Sequence, residues 1–172
     1  VLGDIAPRAA LKEWRFDLSV ANTSVRRFAD ILATHGSAHA HEYAPFLRTL
    51  RDGALGGYLN GIVDLVFEHD GRWWIVDWKS NQLGDDDSDY APDALSSAMI
   101  EAHYTLQYHL YMVALHRHLR ARVPGYDPAL HWGGVAYVFL RGVTGEGDAG
   151  WFRDTPSVAL LSALDAELGR RV

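Results

Sequence analysis

Gly61-Ile-Val-Asp64-Leu-Val-Phe-Glu68-His-Asp70-Gly71-Arg72-Trp-Trp-Ile75-Val-Asp77-Trp78-Lys79-Ser-Asn81 is the stretch on which the reading of this chain turns. Two β-branched and aromatic runs flank Asp70-Gly71, a strong short-range signal for a tight hairpin turn. With those two residues in the turn, His69 faces Arg72. Counting back places Val66 opposite Ile75, Asp64 opposite Asp77 and Ile62 opposite Lys79. Side chains alternate along a strand, so Asp64, Asp77 and Lys79 share one face of the sheet. Directly opposed residues have Cβ atoms roughly 4.5–5.5 Å apart, and like charges so placed destabilise the pair. The two carboxylates need a counter-charge, and a divalent cation with oxygen ligands suits them, with Lys79 alongside. Val63, Leu65, Val76 and Trp78 make the other face apolar, so both faces are expected to be buried. A buried carboxylate is costly unless it is paired or ligates metal. The argument depends on register, because a slip of one residue would send Asp77 to the face opposite Asp64.

Outward from the hairpin, residues 10–20 alternate, with Trp14, Phe16, Leu18 and Val20 on one face and Glu13, Arg15 and Asp17 on the other, and read as a strand. Thr23 or Ser24 can cap a short helix carrying Val25, Phe28, Ile31 and Leu32. Residues 35–57 read as a connector containing glycine and histidine. After the hairpin, Asp85, Asp86, Asp87 and Asp89 form an acidic, solvated loop. Pro92 suits the first turn of one long helix running to Val123, where Pro124 stops it. Residues 133–140 are an apolar interior strand, residues 142–150 a glycine-rich loop, and Thr155-Pro156 opens a final helix. Helices alternating with strands give the class as α/β, a central mixed β-sheet flanked by helices.

Within the long helix Gln107 and Tyr111 lie four apart and share a face, with His103 one turn earlier. Leu106, Leu110 and Val113 form an adjacent stripe expected to pack on the sheet. A Gln amide and a Tyr hydroxyl beside a carboxylate site are suitable donors to a phosphodiester backbone. The histidines carry less weight. His35, His39 and His41 lack flanking acids, His116 and His118 are two apart on a helix and cannot face one way, and His69 sits in the hairpin turn.

At 172 residues, 48% of them hydrophobic, the chain can bury the core of one domain. No run approaches the roughly 20 apolar residues that span a bilayer, and Val1-Leu2-Gly3-Asp4 has no secretory pattern. Cysteine is absent, which excludes disulfides, thiolate zinc sites and iron–sulfur clusters and fits a cytoplasmic location. The start at Val1 and the end directly after a helical stretch read as a piece excised from something longer. The net charge of −6 argues against a free-standing, high-affinity binder of nucleic acid, although basic residues cluster at Arg26-Arg27 and along Arg117, Arg120 and Arg122.

Glycine-x-x-Asp64, then Asp77-x-Lys79, then Gln107-x-x-x-Tyr111 on a following helix resembles the PD-(D/E)xK nuclease superfamily. The segments Gly61 to Phe67, Val76 to Asn81, Leu106 to Tyr111, Leu115 to Arg120 and Gly133 to Gly142 look more closely like the C-terminal nuclease domain of exodeoxyribonuclease V beta subunits, the RecB family. The resemblance covers roughly residues 10–165. It implies a restriction-endonuclease-like core and one nuclease domain over residues 1–172. It also implies magnesium (Mg2+) held by Asp64, Asp77 and the Trp78 backbone carbonyl. Lys79 would orient or deprotonate the attacking water and stabilise charge on the phosphate, while Gln107 and Tyr111 position substrate. The implied partners are DNA, as single strands from an unwound duplex, and the other subunits of a helicase–nuclease complex for double-strand break repair. Delivery of DNA by such subunits would reconcile the activity with the acidic charge. The family domain begins with a helix bearing a His metal ligand. The nine residues before the first strand contain no His, so that helix and ligand are expected to be missing, with Glu13 a conceivable substitute carboxylate. No G-x-x-x-x-G-K-[ST] loop is present, which places any ATP-driven motor upstream in a parent chain. Two other readings stay open: a docking module of weak or no activity, and a stand-alone exonuclease of the same superfamily.

Overall fold

The computed structural model describes residues 9–51, 53–145 and 147–169. In chain order the elements are β1 (Ala10–Ser24), α1 (Val25–His35), α2 (Ala38–Leu47), β2 (Ala54–His69), β3 (Arg72–Lys79), α3 (Pro92–Glu101), α4 (Tyr104–Arg122), the four-residue α5 (Pro128–His131), β4 (Trp132–Phe139), β5 (Trp151–Asp154) and α6 (Val158–Gly169). The strands pair in the order β1-β2-β3-β4-β5. β2–β3 and β4–β5 are antiparallel and β3–β4 is parallel, so the sheet is mixed and the class is α/β. A parallel pair needs a long crossover, which α3 and α4 supply between β3 and β4.

Asp70 (φ 51°) and Gly71 (φ 74°) both adopt positive φ, as the two-residue turn that matches strand twist requires. The turn fixes the register expected from sequence, with His69 opposite Arg72, Val66 opposite Ile75 and Leu65 opposite Val76. The described residues pack as two compact units, one built from residues within 9–14, 62–104 and 129–155, the other from residues within 15–61, 105–128 and 156–169.

In the first unit, Phe67, Val76 and Val138 are buried on one face of the sheet, with Leu65, Trp74, Ala136 and Trp151 packed against them. Trp74 stacks on Phe67 with centroids 6.5 Å apart. On the other face Val66, Ile75 and Tyr137 are fully buried. Burial on both faces fails at the far end of the hairpin, where Ile62 is 44% and Trp78 37% exposed. The β2–β3 register runs from His69–Arg72 to Leu65–Val76, and solvent reaches Ile62 and Trp78 beyond it.

In the second unit β1 alternates as expected, with Phe16, Leu18 and Val20 buried and Arg15, Asp17 and Ser19 exposed. The Phe16 ring lies where a side chain on Gly61 would be, within 2.3 Å of an added Cβ. Helix α1 packs against α2 and α6. It starts where Ser24 accepts a hydrogen bond from the Arg27 N–H at 3.2 Å, one of the two caps foreseen. Asp165 on α6 receives Arg117 Nε at 2.5 Å and Arg120 at 3.0 Å, and Arg117 also donates to the Ser19 carbonyl at 2.8 Å.

Several sequence expectations need correction. The supposed connector contains α2, capped by Ser37 on the Ala40 N–H at 3.3 Å, and the start of β2. Ala40, Tyr43, Ala44 and Leu47 bury one face at helical spacing, a pattern masked by the interleaved His and Glu. The single long helix is two, broken at Ala102–His103, where His103 has φ 56°. His103 therefore does not extend the Gln107–Tyr111 stripe of α4. Burial in α4 runs through Tyr108, Met112, Val113, Leu115 and Leu119, whereas Leu106 and Leu110 are only partly buried. The glycine-rich loop leads into β5, too short to announce itself, and Ser157 rather than Thr155 caps the last helix through the Leu160 N–H at 3.1 Å.

Candidate active site

β2 and β3 bring Asp64, Asp77 and Lys79 together at the end of the hairpin remote from its turn. Alternation from the fixed register sets Asp77 and Lys79 on the face of Ile75 and Val66. Asp77 is 4% exposed and Lys79 Nζ lies 2.5 Å from its Oδ1, so part of the counter-charge inferred from sequence is the lysine itself. Asp64 lies within β2, next to Leu65, which faces Val76 of β3, and its Oδ2 accepts the Trp78 N–H at 2.8 Å. That bond holds the Asp64 carboxylate against the backbone that links Asp77 to Lys79.

Burial pushes the Asp77 carboxyl above the usual carboxylate range, the hydrogen bond and charge of Lys79 oppose this without cancelling it, and the charge of Asp64 adds to the rise. A carboxyl in that state is one whose ionised form gains from added positive charge. The donor set that Asp64 and Asp77 offer is hard carboxylate oxygen, with solvent access at Trp78. It fits a magnesium-type cation, which binds through one or two carboxylates and keeps several waters. Among the described residues no group of three or more His, Asp or Glu side chains could hold a metal. Glu13, exposed on β1 at φ 49°, therefore does not complete a three-acid cluster.

Lys79 is also enclosed by aromatic rings that the sequence reading missed. Its Nζ is 3.9 Å from the Tyr104 centroid and 5.0 Å from that of Tyr137. Tyr137 stands beside Asp77 in the β3–β4 register, and the Tyr104 hydroxyl donates to Asn81 Oδ1 at 3.1 Å. The legible signal was the buried strand G-G-V-A-Y-V-F, in which Tyr137 is the one polar-tipped side chain. Gln107 and Tyr111 belong to the second unit. There Gln107 is partly buried on α4, and Tyr111 is buried edge-on to Phe16, centroids 5.6 Å apart. The discounted histidines are engaged elsewhere, His39 Nε2 with Thr105 Oγ1 at 2.7 Å and His69 beside Asp70 at 3.4 Å.

Asp64 bonded to the Trp78 N–H, beside the Asp77–Lys79 ion pair, is the arrangement to set against known proteins. Residues 4–169 match the description PD-(D/E)XK nuclease superfamily. The chain belongs to that superfamily. Asp77-Trp78-Lys79 has the D-x-K form for which the PD-(D/E)XK superfamily is named. Similar curated proteins are RecBCD enzyme subunit RecB of Haemophilus influenzae, 42% identical over 95% of this chain and 13% of the relative, and that of Escherichia coli, 47% identical over 63% and 9%. RecBCD enzyme subunit RecB of Mycobacterium tuberculosis is 38% identical over 98% of this chain and 17% of its own length. The resemblance to RecB proteins is borne out, and the chain spans less than a fifth of these relatives.

Proposed function

We propose that this chain is a magnesium-dependent deoxyribonuclease domain that hydrolyses DNA phosphodiester bonds. The observation that supports it is the Asp77–Lys79 ion pair at the end of β3, with the Asp64 carboxylate bonded to the Trp78 N–H between them and solvent reaching Trp78. Asp64, Asp77 and the Trp78 carbonyl would hold the cation. When bound, it supplies Lewis acidity toward a phosphoryl oxygen and acidifies water. Lys79 holds its ammonium beside Asp77, where it can orient a water and offset the charge that builds on the phosphate. Gln107 and Tyr111 are assigned to substrate positioning, on the family spacing.

The single-domain reading over residues 1–172 is part of the proposal, supported by one superfamily match that runs through both units. The relatives are named as subunits of the RecBCD enzyme. On that basis the chain acts in recombinational repair within a cytoplasmic helicase–nuclease complex, on single strands that the other subunits deliver. Among the described residues no helix is long and apolar enough to cross a membrane.

The test is degradation of labelled single-stranded DNA with and without magnesium, beside Asp77→Ala and Lys79→Ala. Magnesium-dependent cleavage lost in both variants supports the reading. Cleavage that persists in both, or that ignores magnesium, would remove these residues from the chemistry.

A further inference from the structure

We infer that Tyr104 and Tyr137 are positioning residues for Lys79, forming an aromatic cage that fixes the ammonium over the site; the inference rests on the nuclease reading above. Lysine carries a charge on a flexible four-carbon stem and has about 2 kcal/mol of rotamer entropy to lose when it is ordered. A lysine that must act at one point in space therefore needs more than one anchor. Asp77 Oδ1 is one, at 2.5 Å. It is an unsteady anchor, because the same carboxylate is the one assigned to the cation. The two ring faces supply another kind.

Tyr104 presents its ring to Nζ at 3.9 Å, well inside the roughly 6 Å within which a cation is attracted to an aromatic face. Tyr137 does so at 5.0 Å from a second direction. The rings lie 5.8 Å apart and inclined by 35°, so the ammonium meets two converging walls. Both walls are themselves fixed. Tyr137 is fully buried on β4 and paired with Phe152 across β5, and Tyr104 is tied by its hydroxyl to Asn81 and packed near Phe139 at 6.5 Å. An aromatic face attracts the cation without claiming a carboxylate oxygen. Lys79 can thus stay in place whichever partner Asp77 serves.

The ring, not the hydroxyl, is what this role requires, which separates Tyr→Phe from Tyr→Leu. In magnesium-dependent cleavage of single-stranded DNA, Tyr104→Leu is expected to lower kcat roughly five- to thirtyfold, with KM for DNA within about twofold. Tyr104→Phe should stay within about threefold of the starting activity in kcat. Tyr137→Phe and Tyr137→Leu should order the same way.

A second readout needs neither metal nor activity. Lys12 and Lys79 are the only lysines in the chain, so 13C-lysine labelling gives two assignable Hε–Cε signals. Lys79 Hε should be shifted upfield by the ring currents, keep that shift in Tyr104→Phe and lose it in Tyr104→Leu, with Lys12 unmoved. Unchanged kcat, or an unchanged Lys79 signal, in a folded Tyr104→Leu would overturn the cage. If the leucine variants do not fold, a Lys79 signal at the Lys12 position in the unsubstituted chain would do the same. Silence of the unsubstituted chain in the cleavage assay removes the nuclease reading and the positioning role with it, while the lysine spectrum still reports whether the rings enclose Nζ.

Discussion

The Trp78 N–H donates to Asp64 Oδ2 at 2.8 Å, next to the facing pair Leu65 and Val76 of β2 and β3. A side-chain oxygen thus does at this strand end what a backbone carbonyl does along the rest of the pair. Asp64 therefore carries a structural task beside its assigned chemical one, and two substitutions separate them. Asn keeps an oxygen acceptor and Ala does not. Asp64→Ala should cost about 1 kcal/mol of stability in urea unfolding, and Asp64→Asn distinctly less. Both should lose at least about a hundredfold in magnesium-dependent cleavage, since removing a ligand should cost no less than removing its supporting partner. Equal stability of the two variants would show that the bond contributes nothing.

Asp77 and Lys79 form a nearly buried ion pair, their side chains 6% and 11% exposed. Removing one member of such a pair strands the other charge, whereas replacing both does not. Lys79→Met is expected to lose about 2–4 kcal/mol at neutral pH, and Asp77→Asn with Lys79→Met together to recover much of it. A double-mutant cycle in urea measures this. Additive losses would mean that the two charges are not coupled.

In the second unit, acid should weaken the fold through His116 and Asp165. Burial lowers the His116 pKa, the charge of Asp165 opposes this, and Arg120 and Arg117 reinforce it. Burial tends to raise Asp165, but the hydrogen bond and charge of Arg117, with Arg120, outweigh it and hold the carboxyl below its ordinary value. Both folded groups thus resist protonation more than their unfolded counterparts. As pH falls below about 6.5 the unfolded chain protonates His116 first, and below about 4 it protonates Asp165 first. Each step favours unfolding, so stability declines on acidification through both windows. His116→Gln should flatten the dependence of the urea midpoint between about pH 5 and 7, and Asp165→Asn should do so at lower pH. A slope unchanged by either substitution would assign acid sensitivity to other groups.

How much of this was legible in sequence depended on whether the signal was local. The Asp70-Gly71 turn fixes a register, and the register alone placed Val66 on Ile75 and aligned Asp77 with Lys79 on one face. The PD-(D/E)XK assignment follows from the same few residues. Tyr137 stands out in its strand, but neither it nor Tyr104 could be tied to Lys79 from sequence, because they reach it only through the chain's return in β4 and the break before α4, which are long-range outcomes. Helix α2 was missed for another reason. Its buried Ala40, Tyr43, Ala44 and Leu47 form a clear period, but polar neighbours diluted it and glycines bounded it. The break at Ala102–His103 had no glycine or proline to announce it.

That break offers the last prediction. His103 occupies the left-handed region at φ 56°, its N–H bonded to the Ile100 carbonyl at 3.1 Å as α3 ends and α4 begins at Tyr104. Glycine normally fills this place after a helix, because a Cβ there costs roughly 1–2 kcal/mol. The conformation is imposed by its surroundings, so relieving or worsening the strain should change stability in opposite directions. His103→Gly is expected to raise the melting temperature, by the equivalent of up to about 1 kcal/mol. His103→Val should lower it, since a β-branched residue suits this region least. The Lys79 Hε signal should stay in place in the glycine variant if the turn's geometry, not the histidine side chain, delivers Tyr104 to the lysine. A lower melting temperature for His103→Gly than for His103→Val would show that the imidazole contributes more at this turn than its backbone strain costs.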